Sequence, residues 1–113
     1  MTGAPPARFA LADALAAVPQ GAPVPAAEIF AHGTMKLEFY APRGEDRQQP
    51  HVQDELYIVQ QGSGVFLRGE ERFAFGPGDA LFVRAGVVHR FEDFSDDLAV
   101  WVVFWGADGG EAA

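Results

Sequence analysis

Between Gln49 and His89 the chain carries side chains that can hold a divalent cation. His51 and Glu55 lie four residues apart, Gln49 stands two residues before the histidine, and His89 follows more than thirty residues later. Two imidazoles and one carboxylate are the minimum for a facial metal site that keeps open positions. The chain contains no cysteine, so disulfides and thiolate sites are excluded, and any metal must be held by histidine, carboxylate, amide or water. In an extended strand residues two apart share a face, so Gln49 and His51 are expected to point the same way. His89 needs a fold that brings it in. A barrel does so, because inward-facing side chains from several strands converge on its axis.

The elements around these residues read as such a fold. Leu11, Leu15 and Val18 form one apolar stripe at spacings of four and three, which predicts a short helix over 9–18. Pro19, Gly21, Pro23 and Pro25 end it. From residue 26 onward the chain reads as short strands separated by turns, near 27–31, 35–41, 50–52, 55–61, 64–69, 71–75, 80–84, 88–94 and 98–105. No second helix is long enough for a crossover, so the sheets should be antiparallel. The expectation is an all-β protein, an antiparallel barrel or jelly roll with a short N-terminal helix. Residues 1–25 form the helix and a Pro-rich lead-in, 26–106 the barrel, and 107–113 a loose acidic tail. The stretch Leu98 to Trp105 is apolar on both parities, so both of its faces must be covered. The N-terminal helix or a second copy of the chain would cover the outer one, and a homodimer is expected.

At this point the residues resemble the cupins. The first cupin motif is Gly, five residues, His-x-His, three or four residues, Glu, six residues, Gly; here His51, Glu55 and Gly62 match it. The second is Gly, five residues, Pro-x-Gly, two residues, His, three residues, Asn; here Gly78, Gly86 and His89 fall in register. The resemblance covers roughly residues 36–105. Four positions depart from it: Gln49 replaces the leading His, Gly44 comes one position late, and Arg84 and Asp93 replace Pro and Asn. The resemblance implies one divalent metal, with His51, Glu55 and His89 as ligands and Gln49 as a fourth. An amide oxygen is a weaker, harder ligand than imidazole and suits Fe(II), Mn(II) or Ni(II) better than softer ions. Alternatively, Gln49 bonds a metal-bound water or Glu55.

Tyr57 and Val59 share parity with Glu55 and should face the interior, while Phe91 shares parity with His89. Tyr57, Phe91 and Trp101 are therefore expected around a substrate pocket, with Trp101 equally placed for a dimer core. Asp46, Asp96 and Asp97 read as turn-capping residues. A net charge of −8 opposes nucleic-acid binding and docking to an anionic membrane. No secretory leader or membrane-length apolar run is read, so a soluble cytoplasmic protein is expected. Small cupins of this kind include dioxygenases, isomerases and lyases, which makes a metal-dependent enzyme on a small organic substrate the leading expectation. A non-catalytic barrel that binds a small ligand or the metal is the other.

Overall fold

A computed structural model describes residues 5–112. After helix α1 (Leu11–Ala17) come strands β1 (Ala26–His32), β2 (Met35–Tyr40), β3 (Asp54–Gln61), β4 (Gly64–Arg68), β5 (Glu71–Phe75), β6 (Ala80–Val83), β7 (His89–Glu92) and β8 (Ala99–Trp105). They form two antiparallel sheets, β1-β2-β8-β3-β6 and β5-β4-β7. The sheets face one another without closing into a continuous hydrogen-bonded ring. Tyr57, Val59, Val100 and Val102 from the larger sheet meet Phe66, Phe75 and Phe91 from the smaller in one buried cluster. The alternation expected of β3 holds: Glu55, Tyr57 and Val59 all point inward and are buried.

A seven-residue helix is too short to persist alone. α1 is held by packing: Ala14 and Val18 bury against Phe39, Ala41 and Ala99, with Leu11, Leu15 and Trp101 beside them. It therefore covers one end of the outer face of β8. Trp101 belongs to this layer. Its ring packs edge-on against Phe39 with centroids 4.8 Å apart, and its indole N–H donates to Gln60 Oε1 at 3.0 Å. The expectation that Trp101 lines the pocket is thus corrected, because on β8 the inward row is Val100, Val102 and Phe104.

The strand expected over 50–52 is absent, and the chain from Pro50 to Gln53 makes no ladder. Pro50 has no N–H to give one. Two backbone amides of the tail are tied to the loop and strand before β4. Gly109 N donates to Val52 O at 2.7 Å, and Glu111 N to Asp54 Oδ2 at 2.9 Å. Asp54 Oδ1 accepts from Ala85 N at 2.9 Å, so one carboxylate joins β3, the β6–β7 turn and the tail. The amides of Glu111 and Ala85 hold the Asp54 carboxyl below the usual value of 3.8. A lowered folded value means that this contribution is present above pH 3.8 and fades as pH falls through the folded value. The protection of the Glu111 and Ala85 amides, measured against intrinsic exchange at each pH, should fall together on acidification through that range, and in Asp54→Ala at every pH above it.

Two of the motif positions have direct backbone reasons. Gly62 has φ +90°, and a Cβ there would meet Leu98 Cα at 2.6 Å, so only glycine fits the close approach of the two turns. Asp93, where the cupin motif has Asn, has φ +48°. Asp and Asn are the side-chain-bearing residues that best tolerate this left-handed conformation.

Candidate metal centre

β3 presents Glu55 near its start and β7 presents His89 at its start, both buried. His51 approaches from the preceding loop. Its carbonyl accepts from Gly86 N at 2.7 Å, which ties the His51 backbone to the turn leading into His89. Its ring packs edge-on against Phe104, with centroids 4.6 Å apart. One ligand atom from each of His51, Glu55 and His89 lies within 4.8 Å of the other two. Adjacent donors around one ion, each about 2.1 Å from it, stand about 3–3.4 Å apart, so the set is wider than it would be around a bound ion.

The polar atoms inside this group are not satisfied by one another. His89 Nδ1 lies 2.8 Å from Val87 O, and a carbonyl only accepts, so Nδ1 carries the proton. In neutral imidazole that leaves the bare lone pair of Nε2 facing Glu55 Oε1 at 2.9 Å. Both atoms are buried, and neither has a properly aligned hydrogen bond. Two acceptors face each other across a gap that calls for a cation or a proton between them. His51 Nε2 approaches the other oxygen, Glu55 Oε2, at 3.8 Å. Burial alone would lower the His89 imidazole, but the Glu55 carboxylate outweighs it and leaves His89 raised. For His51 burial prevails, and the ring is held toward its neutral, metal-binding form.

A cavity of about 250 Å³ opens over His51 and Glu55, while His89 is buried and does not line it. Its apolar wall includes Val24, Ala26, Val102 and Phe104, and its polar wall Glu38, Tyr40, Gln48 and Tyr57. Gln49 also lies on it, at the exposed rim. Because 50–52 is not a strand, the parity that paired Gln49 with His51 does not apply. Gln48 is the amide turned inward: its Oε1 accepts from the Tyr57 hydroxyl, and its Nε2 donates to Asp46 Oδ2 at 2.6 Å. Tyr57 is fully buried, and burial followed by the charge of Glu55 raises its phenol far above the usual range. Phe91 stands behind the site, with its ring 5.1 Å from Tyr57 and 5.0 Å from Phe66. It is core, while Tyr57 is wall.

Asp46 does more than cap a turn. It is buried and accepts from the Tyr40 hydroxyl, from Gln48 N at 3.1 Å, from Gln48 Nε2 and from Phe91 N at 2.8 Å. This carboxylate fastens the loop that carries His51 to β2 and to β7. Burial, followed by the hydrogen bond to Asp46, pushes the Tyr40 phenol upward, so it stays a donor. Asp46, Gln48, Tyr40 and Glu38 were not legible as site residues in the sequence. The available signal was the alternation of Lys36, Glu38 and Tyr40 on β2. On the opposite row, the apolar Phe39 packs outward against the helix side.

Fold and site together define a member of the cupin superfamily. The chain matches the family described as Cupin domain over residues 36–105, and it belongs to that family. It is 44% identical over 59 residues to the uncharacterised protein SCO3923 of Streptomyces coelicolor; that stretch is 52% of this chain and 56% of the relative, so about half of each is spanned. Among solved structures it is similar to TT1209 of Thermus thermophilus, at 28% identity and TM-score 0.61 over 73% of this chain and 82% of that one. It is also similar to a Cupin 2 conserved barrel domain protein of Salinispora arenicola, at 18% identity and TM-score 0.69 over 93% and 92%. KdgF of Halomonas sp. is similar at 18% identity and TM-score 0.65 over 77% and 83%. The last two likenesses concern the fold alone. No helix among the described residues is long and apolar enough to cross a membrane.

Proposed function

We propose that the chain holds one divalent metal ion through His51, Glu55 and His89 and uses it in a reaction of a small organic substrate, of the dioxygenase or the isomerase and lyase type. The observation that carries this reading is the pair of buried acceptors, His89 Nε2 and Glu55 Oε1, set 2.9 Å apart. A bound ion of this kind supplies Lewis-acid polarisation or oxygen activation. The chain's own residues define the rest. Val102 and Phe104 give the cavity an apolar wall, and the Tyr57 hydroxyl, whose proton goes to Gln48 Oε1, offers its oxygen to a ligand as an acceptor. Oxygen uptake or turnover of a sugar acid or diketone that requires the metal and vanishes in His51→Ala would support an enzyme. Stoichiometric metal with no turnover across such a panel would favour the second reading, a barrel that only binds.

Gln49 belongs to the same proposal as a fourth ligand or as a partner of a metal-bound water. Its exposed position favours the outer role. Gln49→Ala is then expected to weaken metal binding by no more than about tenfold, the lower end for such supporting contacts, as read by chelator competition.

We also propose that the chain pairs with a second copy. Beyond the reach of α1, the outer face of β8, β3 and β6 carries Val103, Trp105, Leu56, Ile58 and Phe82, with Phe82 and Trp105 rings 6.1 Å apart. Phe82 is 40% exposed and Ile58 36%. Sedimentation should show a dimer, and Phe82→Glu should shift it to monomer.

A further inference from the structure

Glu38 and Tyr40 line the cavity from one row of β2, with exposed Lys36 beyond them on that row, and Glu38 pairs in register with Val102, which lies on the cavity wall. Glu38 is half-buried there, in the same cavity as His51 and Glu55. Among the described residues no cationic nitrogen comes within 4.0 Å of its carboxylate, and its side chain makes no hydrogen bond. Lys36 lies along the same row without reaching it. Arg47, on the rim, is committed to Glu45 at 3.2 Å. The charges that act on Glu38 are those of Glu28, its register partner on β1, then Lys36, which opposes it from two residues along the same row, and then Glu55. Burial, then Glu28, raises its carboxyl above the usual value. A half-buried carboxylate with two carboxylate neighbours and no cation within ion-pairing distance works against fold stability. Its position is accounted for if the ligand supplies the missing partner.

We propose that Glu38 is a specificity residue: it selects ligands that bring a positive charge, such as an ammonium, close to their metal-binding oxygens, and it rejects ligands that bring a second carboxylate. The cavity of about 250 Å³ and its Val24, Ala26 and Val102 wall limit such a ligand to a small molecule with a short apolar part. This rests on the metal reading above, since the metal fixes the other end of the ligand.

Three hydroxamates share one metal-binding head and differ only in tail charge: glycine hydroxamate carries an ammonium, acetohydroxamate is neutral, and malonohydroxamate carries a carboxylate. Their affinities for the cobalt-loaded protein can be read from its visible absorption. The order expected in the wild type is ammonium over neutral over carboxylate, with about tenfold per unit of tail charge, the size of one screened charge contact in a half-open cavity. Glu38→Gln should reduce the ammonium-to-carboxylate ratio by at least about tenfold at an unchanged or higher Tm. Glu28→Gln, which alters the exposed neighbour outside the cavity lining, should change it less than about threefold. Equal ratios in wild type and Glu38→Gln, or an equal loss in Glu28→Gln, overturn the proposal while leaving the metal site standing. Failure of the wild type to take up cobalt removes the metal reading, and this proposal with it.

Discussion

Glu55→Gln is expected to lower metal affinity by more than about 100-fold, above the range for residues that merely support a ligand, without unfolding the protein. The carboxylate supplies the only negative charge in the triad, and its Oε1 and Oε2 face His89 and His51. An amide of the same shape keeps the packing and loses the charge. In the metal-free protein the same change relieves the meeting of two acceptors, because an amide N–H can donate to His89 Nε2. The sign with pH follows. The raised His89 contributes stability through Glu55 below its unfolded value of 6.5, and that contribution is lost as pH rises through the folded value. Well above the histidine range, metal-free Glu55→Gln should therefore match or exceed the wild type in Tm while failing to bind metal. A purely structural His89–Glu55 pair would behave otherwise: Tm would fall and metal would be irrelevant. Chelator competition and thermal melts of the two metal-free proteins decide between them.

Asp46→Ala should have the largest effect on stability. Removing this carboxylate strands the Tyr40 hydroxyl, the Phe91 amide and both Gln48 donors. Hydrogen bonds to a charged group contribute about 1.5–3 kcal/mol each, and leaving buried donors unpaired adds to the loss. A destabilisation of at least about 3 kcal/mol is expected, or a Tm lower by more than about 10 °C for a domain of this size. The site should suffer too, because Asp46 holds Gln48 against Tyr57 and secures β7 two residues from His89. Metal affinity should fall by about 10–100-fold. Asp46→Asn, which keeps one acceptor, should lie between. Urea titrations and chelator competition on the same preparations measure both.

The contrast between Glu55 and Asp46 shows what could be read from the chain before folding. Glu55, His51 and His89 were legible because metal ligation restricts residue type and spacing, and because β3 and β7 hold their alternation. Gly62 and Asp93 were legible as motif positions, and their backbone angles give the reason. Asp46 was not, since an aspartate in Arg-Gly-Glu-Asp reads as a turn residue whether or not it later becomes a buried hub. Strand parity places Gln49 inward, and a loop beginning at Pro50 does not keep parity. Glu38 and Trp101 escape sequence reasoning for one shared reason. β2 and β8 are apolar on their outer rows where α1 and the exposed patch lie, so hydrophobicity alone does not tell inside from outside. Only the pairing of Glu38 with Val102 and of Phe39 with Trp101 fixes the faces.

The central claim is that two imidazoles and one carboxylate share a cation. Elemental analysis of untagged protein, dialysed against a mixture of Mn(II), Fe(II), Ni(II) and Zn(II) and then against buffer, measures it most directly. The expected result is about one divalent ion per chain in the wild type and almost none in His51→Ala, Glu55→Ala or His89→Ala that remain folded. A wild type that emerges metal-free, or an ion retained in full by all three variants, would contradict it.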